Sequence, residues 1–178
     1  MHICHLINSL EHGGAETHLL EMAQANTVAE TDLSISVCAI EHNAPLADEF
    51  REIGVPVQNF GATFKFDPRS IARMAAYFRQ TDIDVLHIHL PLAHTLGRLI
   101  GRIAGIETIV STQHNVADNY HPITGTLEKL TRPLDTRTVA VSEGVRQSFS
   151  TPFHGSSRPW ETIYNGIDVK SFNEAVSS

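Results

Sequence analysis

The chain has 178 residues, 42% of them apolar, with a formal net charge of −7. That length suits one domain with a sizeable buried core, and the interleaved acids and bases exclude a nucleic-acid footprint, which needs clustered Lys and Arg against phosphates. No apolar run reaches the roughly 18 to 20 residues that a bilayer crossing needs. Met1-His2-Ile3-Cys4-His5 lacks the basic start and cleavage site of a signal peptide, so a cytoplasmic location is expected.

Short β-branched runs punctuate the chain at Ile3–Ile7, Leu33–Ile40, Val55–Phe60, Val85–Ile88, Thr108–Ser111, Thr138–Val141 and Thr162–Tyr164. They are largely apolar on both faces, as parallel strands buried between two helical layers must be. Between them the pattern predicts helices over Ala15–Val28, Pro45–Ile53, Pro68–Gln80, Ala93–Ala104, Thr126–Arg132 and Glu143–Ser150. Asp67 before Pro68 is an N-cap followed by a proline at the first helical position. Ser142 can cap the helix that Glu143 opens, and Gly54 and Gly105 stand where a left-handed residue ends a helix. The alternation of strand and helix predicts a Rossmann-like α/β fold, an open, mostly parallel sheet with helices on both faces.

Cys4 and Cys38 fall in strand runs and are expected as reduced, buried thiols. Thr151–Pro159, with two prolines, a glycine and several hydroxyls, predicts a surface loop. Glu174–Ser178 has no partner segment and is expected to fray. A patch of Lys129, Arg132 and Arg137 is one place where an anionic lipid surface could be gripped, although a solvated mixed surface is the favoured reading.

In open parallel sheets ligands bind beyond the carboxyl ends of the strands, so the loops there carry the candidate chemistry. After the first strand, Gly13 and Gly14 lead into a helix with Glu16 in its first turn. Paired glycines allow close backbone approach, and the helix start offers free N–H groups, although a plain strand–helix turn explains them equally well. The segment is neither a G-x-G-x-x-G fingerprint nor a P-loop. After the fourth strand, His87 and His89 share one face. A metal site is conceivable there, but with no Cys, Asp or Glu close in sequence, a polar strand end lining the cleft is favoured. After the fifth strand, His114 and Asn115 open a long polar loop reaching Gly125, where a histidine suits hydrogen bonding to a substrate hydroxyl or acid–base work.

Taken in order, Gly13-Gly14-Ala15-Glu16, Asp84-Val85-Leu86-His87-Ile88-His89, Thr112-Gln113-His114 and Val139-Ala140-Val141-Ser142-Glu143 resemble the N-terminal half of a retaining glycosyltransferase of the GT-B fold, family 4 or group 1. Ile163-Tyr164-Asn165-Gly166-Ile167-Asp168 resembles the stretch that leads into the second domain. The resemblance implies an N-terminal domain over residues 1–168, with 169–178 beginning a linker toward a C-terminal, donor-binding domain. The family's donor-side E-x7-E pattern belongs to that second domain. Glu41 and Glu49 show its spacing by chance, in the wrong half.

Residue by residue, the resemblance implies that Gly13 and Gly14 meet the diphosphate and sugar of a nucleotide-sugar donor. His114, the catalytic candidate, hydrogen-bonds the transferred sugar. Glu16, His89 and Asn115 face the acceptor, with Glu16 equally explained as a first-turn acid. Asn165 and Gly166 sit at the hinge side of the cleft. No metal and no cofactor are expected, because cations and helix dipoles hold the leaving diphosphate. The acceptor would be a saccharide, a lipid-linked molecule or a small molecule, with peripheral contact at the inner face of the membrane left open. A different reading is a stand-alone acceptor-binding or scaffold subunit that recruits a separate donor-domain chain.

Overall fold

The computed structural model describes residues 1–29, 31–149 and 160–166. Its centre is a seven-stranded sheet in the order β3-β2-β1-β4-β5-β6-β7, every neighbouring pair parallel. The strands are β1 (His2–Ile7), β2 (Ser34–Glu41), β3 (Val57–Ala62), β4 (Val85–His89), β5 (Thr108–Gln113), β6 (Arg137–Ala140) and β7 (Trp160–Thr162). The helices are α1 (Gly14–Val28), α2 (Ala47–Glu52), α3 (Pro68–Gln80), α4 (Pro91–Ala104), α5 (Pro122–Thr131) and α6 (Glu143–Ser148), with 3-10 turns at Ala117–Asn119 and Arg132–Leu134. Order reverses between β1 and β4, the point at which open α/β sheets present a crevice.

Strand alternation sorts the core into two layers. Cys4, Leu6, Cys38, Ile40, Leu86 and Ile88 face α3 and α4, meeting Met74, Phe78, Leu96 and Ile100. Ile7, Val37 and Ala39 face the other way, onto Leu19, Leu20 and Ala23 of α1 and Phe50 of α2. Gly97 of α4 lets the helix lie close: a Cβ there would stand 2.7 Å from Leu6 Cδ2 and 2.9 Å from Ile88 Cδ1. The Cys4 and Cys38 thiols are free and buried, with their sulfurs 3.4 Å apart.

Local signals behave as expected at several ends. The Asp67 carboxylate accepts from the Arg69 N–H, and the Ser142 hydroxyl accepts from the Val145 N–H. Gly54 and Gly105 have φ of +80° and +92°. Three expectations are corrected. The fifth helix begins at Pro122 rather than Thr126, since His121 caps it through the Ile123 N–H and Pro122 takes the first helical position. The last strand is Trp160–Thr162 rather than Thr162–Tyr164. The basic patch does not form, because Arg132 is 1% exposed, bonded to Glu128 and stacked on Phe149 and Trp160. The Thr151–Pro159 loop, the Glu174–Ser178 end and the domain boundary at 168/169 lie outside the described residues.

A buried ionic network fixes α4 against β5, α5 and the segment before β6. Arg98 donates to both oxygens of Asp135 at 2.8 Å and to Glu128 at 2.7 and 3.0 Å. Ser111 and Thr138 complete Asp135, and Gln113 donates to Glu128 at 2.7 Å. Burial opposes the Arg98 charge, but the two carboxylates outweigh it and hold the guanidinium more firmly protonated than usual. Burial likewise opposes the Glu128 charge, and His94 and Arg98 outweigh it, holding the carboxyl well below its usual range.

Candidate functional site

The carboxyl edge of the sheet gathers the candidate residues onto one side of the molecule. Gly14, Glu16, Leu90, His114, Asn115 and Asn165 line a cavity of about 370 Å³. An adjoining cavity of about 660 Å³ runs between α1 and the sheet, bounded by His87, His89, His114, Val139, Tyr164, Asn165 and Gly166 among others. His114 belongs to both. Segments that are far apart in sequence therefore meet at one cleft because their strands end at the same edge.

Each residue has a local reason for its place. Gly13 is extended, with φ −131° and ψ 167°, at the entry to α1. A Cβ on Gly13 would run into the Glu16 carboxylate, which folds back over the helix start. Gly14 has open space where a side chain would be. Glu16 is buried, and desolvation followed by repulsion from Glu11 pushes its carboxyl upward against the pull of its own backbone N–H. At the switch point the Asn8 side chain accepts from the Ala93 N–H at 2.8 Å, satisfying a free donor at the start of α4. Leu90, between His89 and Pro91, has φ +71°, an uncommon conformation for a branched residue and one that tends to persist at functional edges.

The histidines form a cluster larger than the sequence suggested. His5 of β1 pairs in register with His87 of β4, and their rings lie 5.0 Å apart. His5 Nδ1 is 3.1 Å from His89 Nε2, and His89 Nδ1 is 3.2 Å from His114 Nε2. His87 Nε2 turns instead to the Thr112 hydroxyl at 2.7 Å, and His94 Nε2 meets the Thr112 carbonyl at 3.1 Å. Burial holds His5 at about 4, and burial with neighbouring histidines holds His114 at about 4 and His87 and His89 well below the usual imidazole range. All four are neutral at pH 7.

Of the described residues, His5, His87 and His89 are the group that could hold a metal ion, with one ligand nitrogen each lying within 4.8 Å of the others. In the structure His5 and His89 bond each other and His87 bonds Thr112, so an ion bound there would have to displace both contacts.

Sequence reasoning missed three features. His5 was overlooked because only the β1–β4 register brings it to His87 and His89. The Arg98–Glu128–Asp135 network carries no local signature. A further cleft of about 570 Å³ opens on the α4 side of the same edge, bounded by Asn8, Glu41, Lys65, Phe66, Tyr120, His121 and Ile123 among others. Its only sequence signal is Phe64-Lys65-Phe66, two aromatics that prove 61% and 44% exposed.

An open parallel sheet with this edge cleft defines the class as a Rossmann-like α/β domain. The model of Glycosyltransferase Family 4 matches residues 12–171, and the chain belongs to that family. It is 30% identical over 171 residues to the phosphatidyl-myo-inositol mannosyltransferase of Mycobacterium tuberculosis, covering 92% of this chain and 44% of that protein. The enzyme of that name from Mycolicibacterium smegmatis is 26% identical over 182 residues, covering 92% and 42%. Among solved structures, Anabaena HepE in complex with UDP superposes with a TM-score of 0.77 at 16% identity, over 99% of this chain and 50% of that one. The lipopolysaccharide outer core galactosyltransferase WaaB gives 0.77 at 13%, over 96% and 47%. The chain thus spans about half the length of the relatives it matches.

Proposed function

We propose that this chain is the acceptor-binding half of a retaining glycosyltransferase, which moves a sugar from a nucleotide-sugar donor to a saccharide, glycolipid or other acceptor. The convergence of Gly14, Glu16, His114, Asn115 and Asn165 on one edge cavity carries this reading. Free N–H groups at the start of α1, next to Gly13 and Gly14, offset charge that develops on the leaving diphosphate. The Glu16 carboxylate now lies over that start, so it must swing aside or take up a proton as an anion arrives. Its raised affinity for a proton lowers the cost of the second course. His114, neutral and at the junction of both cavities, hydrogen-bonds the transferred sugar. His89, Asn115, Asn165 and Gly166 shape the walls around it.

The donor's nucleotide belongs to a C-terminal domain that closes over this edge, and the scheme uses no metal or cofactor. The mycobacterial relatives' name puts a mannosyl donor and an inositol phospholipid first among substrates to test. No helix among the described residues is long and apolar enough to cross a membrane. The half-length match equally suits a subunit that recruits a separate donor-domain chain, and the reading frame downstream distinguishes the two.

The experiment incubates the 178-residue chain, and the product of the full reading frame, with a panel of nucleotide sugars and acceptors. Transfer is expected only from the longer protein, with the product's anomeric configuration matching the donor's. Turnover by the short chain alone, or an inverted product, would overturn the assignment. Micromolar nucleotide-diphosphate binding by the short chain, about 8 kcal/mol, would contradict donor binding in the other half.

A further inference from the structure

His114 is held from behind by a line of imidazoles. His5 Nδ1 approaches His89 Nε2 at 3.1 Å, and His89 Nδ1 approaches His114 Nε2 at 3.2 Å. A neutral imidazole has one N–H donor and one acceptor nitrogen, so each N···N contact is a hydrogen bond only when one of its two nitrogens carries a proton and the other does not. His89 uses both nitrogens, so the contacts cannot be chosen independently. If His5 Nδ1 donates, His89 Nε2 accepts and Nδ1 donates, leaving His114 Nε2 as acceptor and its proton on Nδ1. If His114 Nε2 donates, every step reverses. Both arrangements give the three rings the same tautomer.

We propose that His5 and His89 are positioning residues that couple the tautomer of His114 to their own, so that the nitrogens of His114 exchange donor and acceptor roles only when all three rings change together. Among the described residues His114 Nδ1 has no hydrogen-bond partner of its own, so its protonation follows that of His89 and His5. A lone histidine changes tautomer by itself, whereas a change at His114 must carry the other two rings with it. Mutual burial keeps the rings neutral, as the alternation of donors and acceptors requires. The inference bears on sugar transfer only through the role proposed for His114, and its test does not depend on that role.

Nitrogen-15 NMR of the labelled protein at pH 7 reads the tautomer of each ring from its two nitrogen shifts. His5, His89 and His114 are expected to carry their protons on the same-named nitrogen, with through-bond N–N couplings from His5 to His89 and from His89 to His114. Rings that disagree, or that populate the two tautomers in different proportions, would overturn the proposal using the wild-type protein alone. In His5→Phe, the His114 nitrogen shifts are expected to change, because loss of the His5 contact alters the tautomer balance of the remaining pair, although the His89–His114 contact itself is untouched. Unchanged His114 shifts in a folded His5→Phe protein would show that its tautomer is set elsewhere and would likewise overturn the proposal. A His5→Phe protein that fails to fold leaves the wild-type couplings to decide.

Discussion

Arg98 and Asp135 meet through two parallel hydrogen bonds, Nε to Oδ1 and Nη2 to Oδ2, each 2.8 Å, with both side chains fully out of water. The pair ties α4 to the entrance of β6. Through Glu128 it also holds Gln113, the residue before His114. Two buried carboxylates around one guanidinium balance only while the cation is there. Arg98→Met would leave the buried Asp135 carboxylate with hydroxyl partners but no bonded cation and would strip Glu128 of its strongest one, a loss of about 3 to 5 kcal/mol. For a chain of this length that lowers Tm by roughly 10 °C or more, measured by thermal melting at pH 7. A melt within two or three degrees of the parent would show that the network adds little beyond packing.

The histidine cluster gives stability a direction in pH. His5 and His114 fall from an ordinary 6.5 to about 4 in the fold, and burial with neighbouring histidines holds His87 and His89 well below 6.5 as well. The unfolded chain therefore binds more protons below pH 6.5, and stability contributed by these residues is present above that pH. It is lost as pH falls toward the folded values, at up to about 1.4 kcal/mol per pH unit for each histidine. Denaturant titrations between pH 7.5 and 4.5 are expected to show midpoints falling steadily below 6.5. A flat profile down to pH 5 would mean the rings are better solvated than their burial implies.

Phe66 has φ +63° while 44% exposed, so its backbone is strained and its ring is only half covered. Glycine relieves a left-handed strain of about 1 to 2 kcal/mol, offset in part by its greater freedom in the unfolded chain. Phe66→Gly is expected to leave Tm unchanged or raise it by a few degrees. If the aromatic is retained for the acceptor, the same change in the full-length enzyme raises the acceptor KM. A lowered Tm would show that the ring's packing outweighs the strain.

His114→Ala in the full-length enzyme separates a substrate contact from a packing role. A hydrogen bond that strengthens as charge develops is worth more than the usual 0.5 to 1.5 kcal/mol. At least a tenfold fall in kcat is expected, with the acceptor KM little altered. Steady-state rates and a melt on the same protein give the answer. Normal kcat with a depressed Tm would make His114 a structural residue.

The sequence by itself determined the local structure. The bounds expected for α3, Pro68–Gln80, match at both ends, because the Asp67 cap, Pro68 and the helical spacing all lie within a few turns of one another. The strands followed from β-branched runs, and the two core layers from their alternation. Even the early start of α5 is written locally, in the His121 cap and in Pro122 at the first helical position.

The tertiary structure alone decided which residues stand together. Parallel pairing sets His5 beside His87 across most of a domain, and nothing near either residue announces the other. Arg132 looked like a surface cation beside Lys129 and Arg137, yet Glu128, Phe149 and Trp160 enclose it. Arg98 found two carboxylates from α5 and the β6 approach, where single-segment reading saw no paired acids. Helix caps and strand alternation are set by neighbours along the chain, whereas burial, partner and protonation are set by whatever the sheet order brings across it. The candidate site consists of contacts of that second kind, so residues such as His89 and His114 were nameable from sequence while His5 and the arrangement were not.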